Sequence, residues 1–184
     1  MRTSETHPIR IDPLPVSNGL LGLTFCPGKR GDSVYGAPWA RDLETDLSAI
    51  QGWGTTTLVT LMERFEFDLL GVPDLPDGVI AADMSWTHLP IRDVDVPSDP
   101  FDAVWPEIRA DLIRRLAAGE RVVFHCRGGL GRTGLVAALL LIEHGVDPES
   151  AIGQVRKARP GAIETERQEA YVLAYRPSTT EGDA

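Results

Sequence analysis

Residues 121–144 read RVVFHCRGGLGRTGLVAALLLIEH, and this stretch decides the fold. A short apolar run from Arg121 to His125 is followed by Cys126 and a glycine-rich turn. An almost wholly apolar segment then runs from Gly131 to His144. The first run is typical of a buried strand, and the second of a helix in the core of a layered domain. We therefore predict a strand, a tight loop and a central helix, in that order.

The loop between this strand and helix has the composition of an anion-binding site. Gly128, Gly129 and Gly131 have no β-carbon, so the backbone can curl until successive amide hydrogens point inward. The helix that begins near Arg132 adds the positive end of its dipole at the same place. We predict that the loop binds a phosphate group. The predicted substrate-binding residues are Arg127, Gly128, Gly129, Leu130, Gly131 and Thr133.

Cys126 distinguishes this loop from a turn that only binds phosphate. A cysteine thiol has a reference pKa of about 8.5, which cationic or helix N-terminal surroundings lower to about 3.5–7.5. As a thiolate, Cys126 is predicted to attack phosphorus. Arg132 offers a planar fork of donors to two phosphate oxygens and to their charge in the transition state. Thr133 is predicted to donate its hydroxyl to the sulfur, and His125 to orient the loop by bonding to backbone.

The segment HCRGGLGRTG, residues 125–134, resembles the HC-x5-R-[ST] signature of the protein tyrosine and dual-specificity phosphatases. The resemblance extends to LGLTFCPG (21–28), HLPIRDVDVPSD (88–99) and DPESAIGQVRKARPGAIETERQEAYV (147–172), and it covers most of residues 20–175. It is a resemblance in particular to the cyclin-dependent kinase inhibitor 3 type, also called kinase-associated phosphatase. It implies an α/β phosphatase fold with a mainly parallel, four- to five-stranded sheet flanked by helices. It also implies hydrolysis through a phosphocysteine, with no metal and no cofactor.

This chemistry needs a second group that protonates the leaving oxygen and then activates water, a role suited to a carboxylic acid on a mobile loop. In the resembling family this acid lies upstream of the cysteine, after a Pro-Ile-x motif. The sequence PIRD at residues 90–93 matches the motif, so Asp93 is predicted to be the general acid. Asp95 and Asp99 remain alternatives, although Asp99 is also placed to cap the next helix.

Three other positions leave two interpretations open. The resemblance implies a water-positioning role for Gln168, but Gln168 also falls three residues after Thr165, as in an ordinary capping box. Glu164 stands where relatives often carry glutamine, which leaves the part of this region in hydrolysis undecided. Cys26 is predicted to be a packed cysteine, with a disulfide to oxidised Cys126 as the alternative.

The rest of the chain alternates predicted strands and helices, the pattern of an α/β layer architecture with a mainly parallel sheet. The predicted strands are residues 19–25, 55–61, 84–91 and 121–125. The main predicted helices are residues 42–51, the segment from Asp99 to Gly119, and residues 131–144. We predict an extended N-terminal arm over residues 1–15, a phosphatase domain over 16–176 and a flexible tail over 177–184. The ligand site of such a sheet lies at the carboxyl ends of its strands.

Composition narrows the function classes. The 18 basic and 27 acidic residues give a formal charge of -9, which disfavours nucleic acid and anionic membrane surfaces as partners. Two cysteines are too few for a disulfide scaffold or a four-cysteine zinc site. No stretch approaches the roughly 20 apolar residues that cross a bilayer, and the N-terminus does not resemble an export signal. We expect a cytoplasmic monomer that acts on phosphorylated protein.

Three function classes share such a loop. The first is a protein phosphatase acting on phosphotyrosine and possibly on phosphoserine or phosphothreonine, with a small phosphorylated metabolite as an alternative substrate. Enzymes that act on lipid or inositol phosphates usually enrich the loop in lysine, and this loop has none. The second class is a module that reads phosphorylated partners without hydrolysis. The third transfers sulfur or reduces arsenate on a similar cysteine loop.

Overall fold

The computed structural model describes residues 1–33 and 36–177 and contains a central five-stranded sheet. Its strands are β1 (Asp12–Val16), β2 (Gly19–Phe25), β5 (Thr55–Thr60), β6 (Ser85–His88) and β7 (Arg121–Cys126). Two further strands of two residues, β3 (Arg30–Gly31) and β4 (Trp39–Ala40), pair with each other beside it. Residues 178–184 of the predicted tail lie outside the described residues.

Helices cover this sheet. They are α1 (Leu43–Gly52), α2 (Arg64–Leu69), α3 (Leu75–Ala81), α4 (Asp99–Ala117), α5 (Gly131–Glu143), α6 (Pro148–Ala158) and α7 (Glu166–Ala174). In the described part of the chain, no helix has the length and apolar character needed to cross a membrane.

The strand order β1-β2-β7-β5-β6 places β7 at the centre of the sheet. It pairs in parallel with β2 and β5, and β6 pairs in parallel with β5. Because parallel strands end at the same edge, the carboxyl ends of these four strands surround the loop after Cys126. This arrangement confirms the predicted α/β class and the mainly parallel sheet.

The helix α5 lies in the core, as its sequence predicts. Every residue from Gly131 to Ile142 is buried, and α5 packs on α6, α7 and β7. A helix that is apolar on all sides can bury all of its hydrophobic surface only in such a central position. The predicted phosphate-binding loop, which follows Cys126, is therefore held between a central strand and a central helix.

The predicted N-terminal arm is wrong in its boundary, because residues 12–15 belong to the sheet. The strand β1 pairs antiparallel with β2, and its alternating side chains bury Leu14 and Val16. The exposed positions between them are Pro13 and Pro15. Proline is tolerated there because β1 is an edge strand, where one row of amides needs no partner. The prolines that suggested an irregular arm instead mark a sheet edge.

Three local predictions are also corrected. The short helices α2 and α3 were not predicted, since six or seven residues show little periodicity. The N-cap of α4 is Ser98 and not Asp99, which is the first helical residue. The helix continues through Pro106 to Ala117.

Candidate active site

Cys126 is the last residue of β7 and lies beside Phe25, the last residue of β2. Only 3% of Cys126 is exposed, so its sulfur is at the base of the loop. The backbone amide of Gly129 donates a hydrogen bond to the sulfur at 3.2 Å. Gly129 has φ of 70°, and a β-carbon there would lie 2.1 Å from the carbonyl oxygen of Thr24. Glycine is required at this position for both reasons.

The Arg132 side chain is buried and held by two acidic residues. Its Nη1 and Nη2 atoms lie 2.6 and 2.9 Å from the two carboxylate oxygens of Glu66, in a bidentate pair. Nη1 also donates to the carbonyl of Ile91 at 3.1 Å, and Nη2 lies 2.8 Å from Asp93 Oδ1. Burial acts to lower the pKa of Arg132, but the hydrogen bond to Glu66 and the charges of Cys126, Glu66 and Asp93 raise it above its ordinary value. The guanidinium is thus a permanent, oriented charge.

Asp93 is the predicted acid that the structure brings to the site. It contacts Arg132, and its side chain is 45% exposed. The next residue, Val94, has φ of 54°, a left-handed conformation that is costly for a β-branched residue. Asp95 instead pairs with Arg167, at 2.8 Å. Asp99 begins α4 and is exposed.

Gln168 is buried, and its amide group bonds at both ends. The Oε1 atom accepts from the backbone amides of Glu164 and Thr165, at 3.0 and 3.3 Å, which completes a capping box at the start of α7. The Nε2 group donates to the carbonyl of Asp95 at 3.1 Å. Gln168 therefore caps α7 and also connects α7 to the loop that carries Asp93 and Asp95.

Glu164 reaches directly into the phosphate-binding loop. Its Oε2 accepts a hydrogen bond from the amide of Gly131, at 2.8 Å. This amide belongs to the ring of donors that was predicted to receive phosphate. The carboxylate of Glu164 is therefore a resident anion at one edge of the ring.

His125 forms its main hydrogen bond with a side chain. Its Nε2 lies 2.7 Å from the Thr60 hydroxyl, which itself accepts the indole N–H of Trp86 at 2.9 Å. Since Thr60 accepts from Trp86, its own proton is available to His125. Burial lowers the pKa of His125 to about 3, partly opposed by the backbone of Cys126. The imidazole is neutral at physiological pH, so it supports the loop without charge.

One predicted contact of the Cys126 sulfur is not formed. The Thr133 hydroxyl is buried but has no hydrogen-bond partner among the described residues, so its predicted bond to Cys126 is absent. Gly129 is the donor to this sulfur instead. Cys26 is a free, fully buried thiol whose pKa is raised by burial, in keeping with a packed cysteine.

Comparison with known proteins agrees with this geometry. A sequence model described as "Swiss Army Knife protein, DSP-PTPase phosphatase domain" matches residues 40–172. The chain is 32% identical over 178 residues to cyclin-dependent kinase inhibitor 3 of Mus musculus, covering 94% of this chain and 81% of that protein. The chain belongs to the dual-specificity and protein tyrosine phosphatase family.

Other members of the phosphatase family match as well. Protein tyrosine phosphatase type IVA 3 of Homo sapiens is 33% identical over 141 residues, covering 76% of this chain and 75% of that protein. A crystal structure of kinase associated phosphatase, with its catalytic site cysteine substituted by serine, has a TM-score of 0.79 and 31% identity. That match covers 90% of this chain and 92% of the other. This protein is accordingly a cysteine-based protein phosphatase.

Sequence reasoning missed two side chains that shape this phosphatase site. Glu66 lies on the unpredicted helix α2, so nothing singled it out among 27 acidic residues. Arg159 is buried and bonds to the carbonyl oxygens of Gly129 and Gly128. It also pairs with Asp12 of β1, at 2.6 Å. The partners of the Arg159 guanidinium lie far away in the sequence, so no local pattern predicts these contacts.

Proposed function

We propose that Cys126, Arg132 and Asp93 hydrolyse phosphate monoesters on phosphorylated protein substrates, with Cys126 as nucleophile, Arg132 as the phosphate-binding cation and Asp93 as general acid. The observation that supports this assignment is their convergence on the loop after β7. The Cys126 sulfur accepts a hydrogen bond from the Gly129 amide. In the same site, Arg132 Nη2 lies 2.8 Å from Asp93 Oδ1. The loop after β7 supplies the proposed nucleophile and the anion-binding ring, and Asp93 from the segment after β6 supplies the carboxyl group.

In the first step the phosphate must displace the Asp93 carboxylate from Arg132. A phosphate dianion that bonds to Arg132 Nη2 competes with the carboxylate of Asp93, which now occupies that donor. The displaced carboxylate of Asp93 takes up a proton from solvent and donates it to the leaving oxygen as the phosphorus–oxygen bond breaks. The Cys126 sulfur then forms a bond to phosphorus while the phosphorus–oxygen bond to the leaving group breaks. The charge on the remaining oxygens is held by Arg132 and by the loop amides.

In the second step water attacks the phosphorus of the phosphocysteine. Asp93, now ionised, accepts a proton from that water, and the bond between phosphorus and sulfur breaks. The thiolate of Cys126 and inorganic phosphate are the products. The buried carboxylate of Glu66 keeps the Arg132 guanidinium oriented through both steps, because it binds the same two nitrogens throughout.

The decisive experiment measures phosphate release from p-nitrophenyl phosphate and from a phosphopeptide panel in the presence of a chelator. Wild-type protein should turn over, Cys126→Ser should lose turnover but retain binding of tungstate, and Arg132→Lys should lose both. Cys26→Ser is the matched control, since it changes the other buried thiol, and it should keep activity.

Two outcomes contradict this proposal. Tight binding of phosphopeptides without turnover by wild-type protein would indicate a reading module. Reductase activity on thiosulfate or arsenate in the absence of phosphatase activity would indicate the third function class. The panel also measures the preference among phosphotyrosine, phosphoserine and phosphothreonine. A cytoplasmic location and a monomeric state stay predictions.

A further inference from the structure

Lys29 is a buried ammonium group that the proposed mechanism does not use. It follows the end of β2, and 7% of the residue is exposed. Its Nζ lies 4.5 Å from the centre of the Phe25 ring and 4.3 Å from that of Trp39, which are cation–π distances. The same Nζ donates to the backbone carbonyl of Arg127, at 3.2 Å. Lys29 therefore has a defined place against the phosphate-binding loop.

The segment that carries Lys29 is itself anchored by a buried ion pair. Asp46 Oδ2 accepts the amide of Gly28 at 2.8 Å and also the Nε of Arg41 at 2.7 Å. The backbone amide of Arg41 in turn donates to the carbonyl of Lys29, at 3.2 Å. These contacts hold the backbone on both sides of Lys29, so its side chain approaches the loop from a fixed base.

The contact with Arg127 determines which way a loop amide faces. In a trans peptide the carbonyl and the next amide hydrogen point in opposite directions, and the described residues contain no cis peptide. The carbonyl of Arg127 is turned outward to Lys29 and to the Cys26 amide. The amide of Gly128 is consequently turned inward. Arg159 binds the next two carbonyls and orients the next two peptides in the same manner.

Lys29 also differs from its buried neighbours in charge balance. The buried arginines next to the loop are each paired with carboxylates: Arg132 with Glu66 and Asp93, Arg159 with Asp12, and Arg41 with Asp46. Among the described residues, no carboxylate lies within ion-pair distance of the Lys29 ammonium. Burial lowers the pKa of Lys29 to about 8. The thiols of Cys26 and Cys126 oppose this shift, whereas the charges of Arg41 and Arg2 add to it.

We propose that Lys29 is a positioning residue of this phosphatase, which turns the Gly128 amide toward bound phosphate and stabilises the Cys126 thiolate with its positive charge. This inference rests on the proposed function of the loop. A cation that shares its charge with no carboxylate acts strongly on a nearby thiolate, because the buried surroundings screen it little. The segment after β2 thus supplies a positive charge that no carboxylate of the described residues pairs with.

The two lysines of the chain provide a matched test. Lys29→Met removes the buried charge, while Lys157→Met removes an exposed one near the end of α6. We expect Lys29→Met to raise the pH midpoint of iodoacetamide alkylation of Cys126 by about one unit, which makes alkylation about ten-fold slower at pH values well below both midpoints. Mass spectrometry identifies the alkylated cysteine. Lys157→Met should match wild type.

Two more variants separate charge from hydrogen bonding. Lys29→Gln keeps a donor for the Arg127 carbonyl but no charge, so its alkylation midpoint should shift as in Lys29→Met while kcat/KM falls less. Lys29→Arg should restore the wild-type midpoint. An alkylation profile of folded Lys29→Met and Lys29→Gln that superimposes on that of Lys157→Met overturns the inference.

Wild-type protein supplies the test if these variants do not fold. Its two lysines give two Cε signals in a carbon-13 NMR titration. The Lys29 signal should titrate with a pKa of about 8 and move to higher pH when tungstate binds, while Lys157 does not respond. A Lys29 titration that is identical with and without tungstate overturns the inference. If wild-type protein releases no phosphate from p-nitrophenyl phosphate, the proposed function fails instead.

Discussion

At the scale of single residues, the predicted acid and the phosphate-binding arginine are partners before any substrate arrives. Asp93 contacts Arg132, whereas Asp95 is paired with Arg167. In the proposed mechanism, phosphate that binds Arg132 displaces the Asp93 carboxylate, which then takes up the proton that the leaving oxygen needs. The contact between Asp93 and Arg132 would thereby couple substrate binding to the availability of the acid.

Asp93→Asn should slow substrates with poor leaving groups by about 10²–10⁴-fold, the scale of general acid catalysis. Phenyl phosphate is the test substrate, because p-nitrophenolate leaves without much need of a proton. Comparison of kcat for the two substrates isolates proton donation. Asp95→Asn is the control and should lose little. A defect confined to Asp95→Asn would transfer the role to that residue.

Glu164 is expected to weaken the binding of phosphate. Its carboxylate accepts the Gly131 amide that a phosphate oxygen would otherwise use, and it adds a negative charge beside an anionic ligand. Glu164→Gln should tighten tungstate binding by about two- to five-fold, a modest gain because the residue is exposed and solvent screens it. Isothermal titration calorimetry measures the change. Glu166→Gln, exposed on α7, should leave Kd unchanged, and equal affinities for all three proteins would contradict the expectation.

At the scale of elements, the position of the loop depends on how closely α5 approaches the segment before α7. Gly134 makes that approach, since a β-carbon there would lie 2.8 Å from Ala162 Cβ and 2.9 Å from the Ile163 amide nitrogen. The same Ile163 amide donates to the carbonyl of Leu130 in the loop, at 3.3 Å. A shift of α5 is thus passed on to the phosphate-binding ring.

Gly134→Ala should lower the free energy of unfolding by about 1–3 kcal/mol, the usual cost of overpacking. Urea denaturation measures it, and kcat/KM should fall with it because the loop moves. Gly153→Ala in α6 is the control, since a β-carbon at Gly153 meets nothing within 4 Å. That variant should gain about 0.5–1 kcal/mol from helix propensity. Equal stabilities of the two variants would mean that α5 is free to adjust.

At the scale of the whole molecule, the fold has a built-in sensitivity to acid. His125 has a pKa of about 3 in the folded protein, because it is buried on the central strand β7. In the unfolded chain its pKa is about 6.5. Between these values the unfolded chain binds a proton that the native protein does not. The contribution of His125 to stability is therefore complete above about pH 6.5 and is lost as the pH falls toward 3.

The loss between pH 7 and pH 5 should be about 2 kcal/mol from this residue alone. Urea denaturation at the two pH values measures it. His125→Asn should flatten the dependence, even if the variant is less stable at pH 7. His7→Asn, at an exposed position, is the control and should keep the wild-type slope. A slope unchanged in His125→Asn would assign the acid sensitivity to other groups.

Local sequence signals determined much of the molecule. Strands β2, β5, β6 and β7 and helices α1, α4 and α5 were predicted from apolar runs and apolar periodicity, because each is long enough to show its pattern. The strand β1 and the helices α2 and α3 did not follow, since prolines and short length hide the pattern. The loop from His125 to Thr133 was predictable because its nucleophile, glycines and arginine are adjacent in the chain.

The local sequence therefore predicted the α/β class, and it placed a cysteine, three glycines and an arginine together in one loop. Only the tertiary structure showed that Glu66 holds Arg132, that Arg159 joins the loop to Asp12 and that Lys29 reaches the Arg127 carbonyl. The physical reason is separation along the chain. These partners are 66, 147 and 98 residues apart, and only the packing of the folded chain brings them within hydrogen-bond distance. The sequence around a buried charged residue does not indicate which distant group will pair with it.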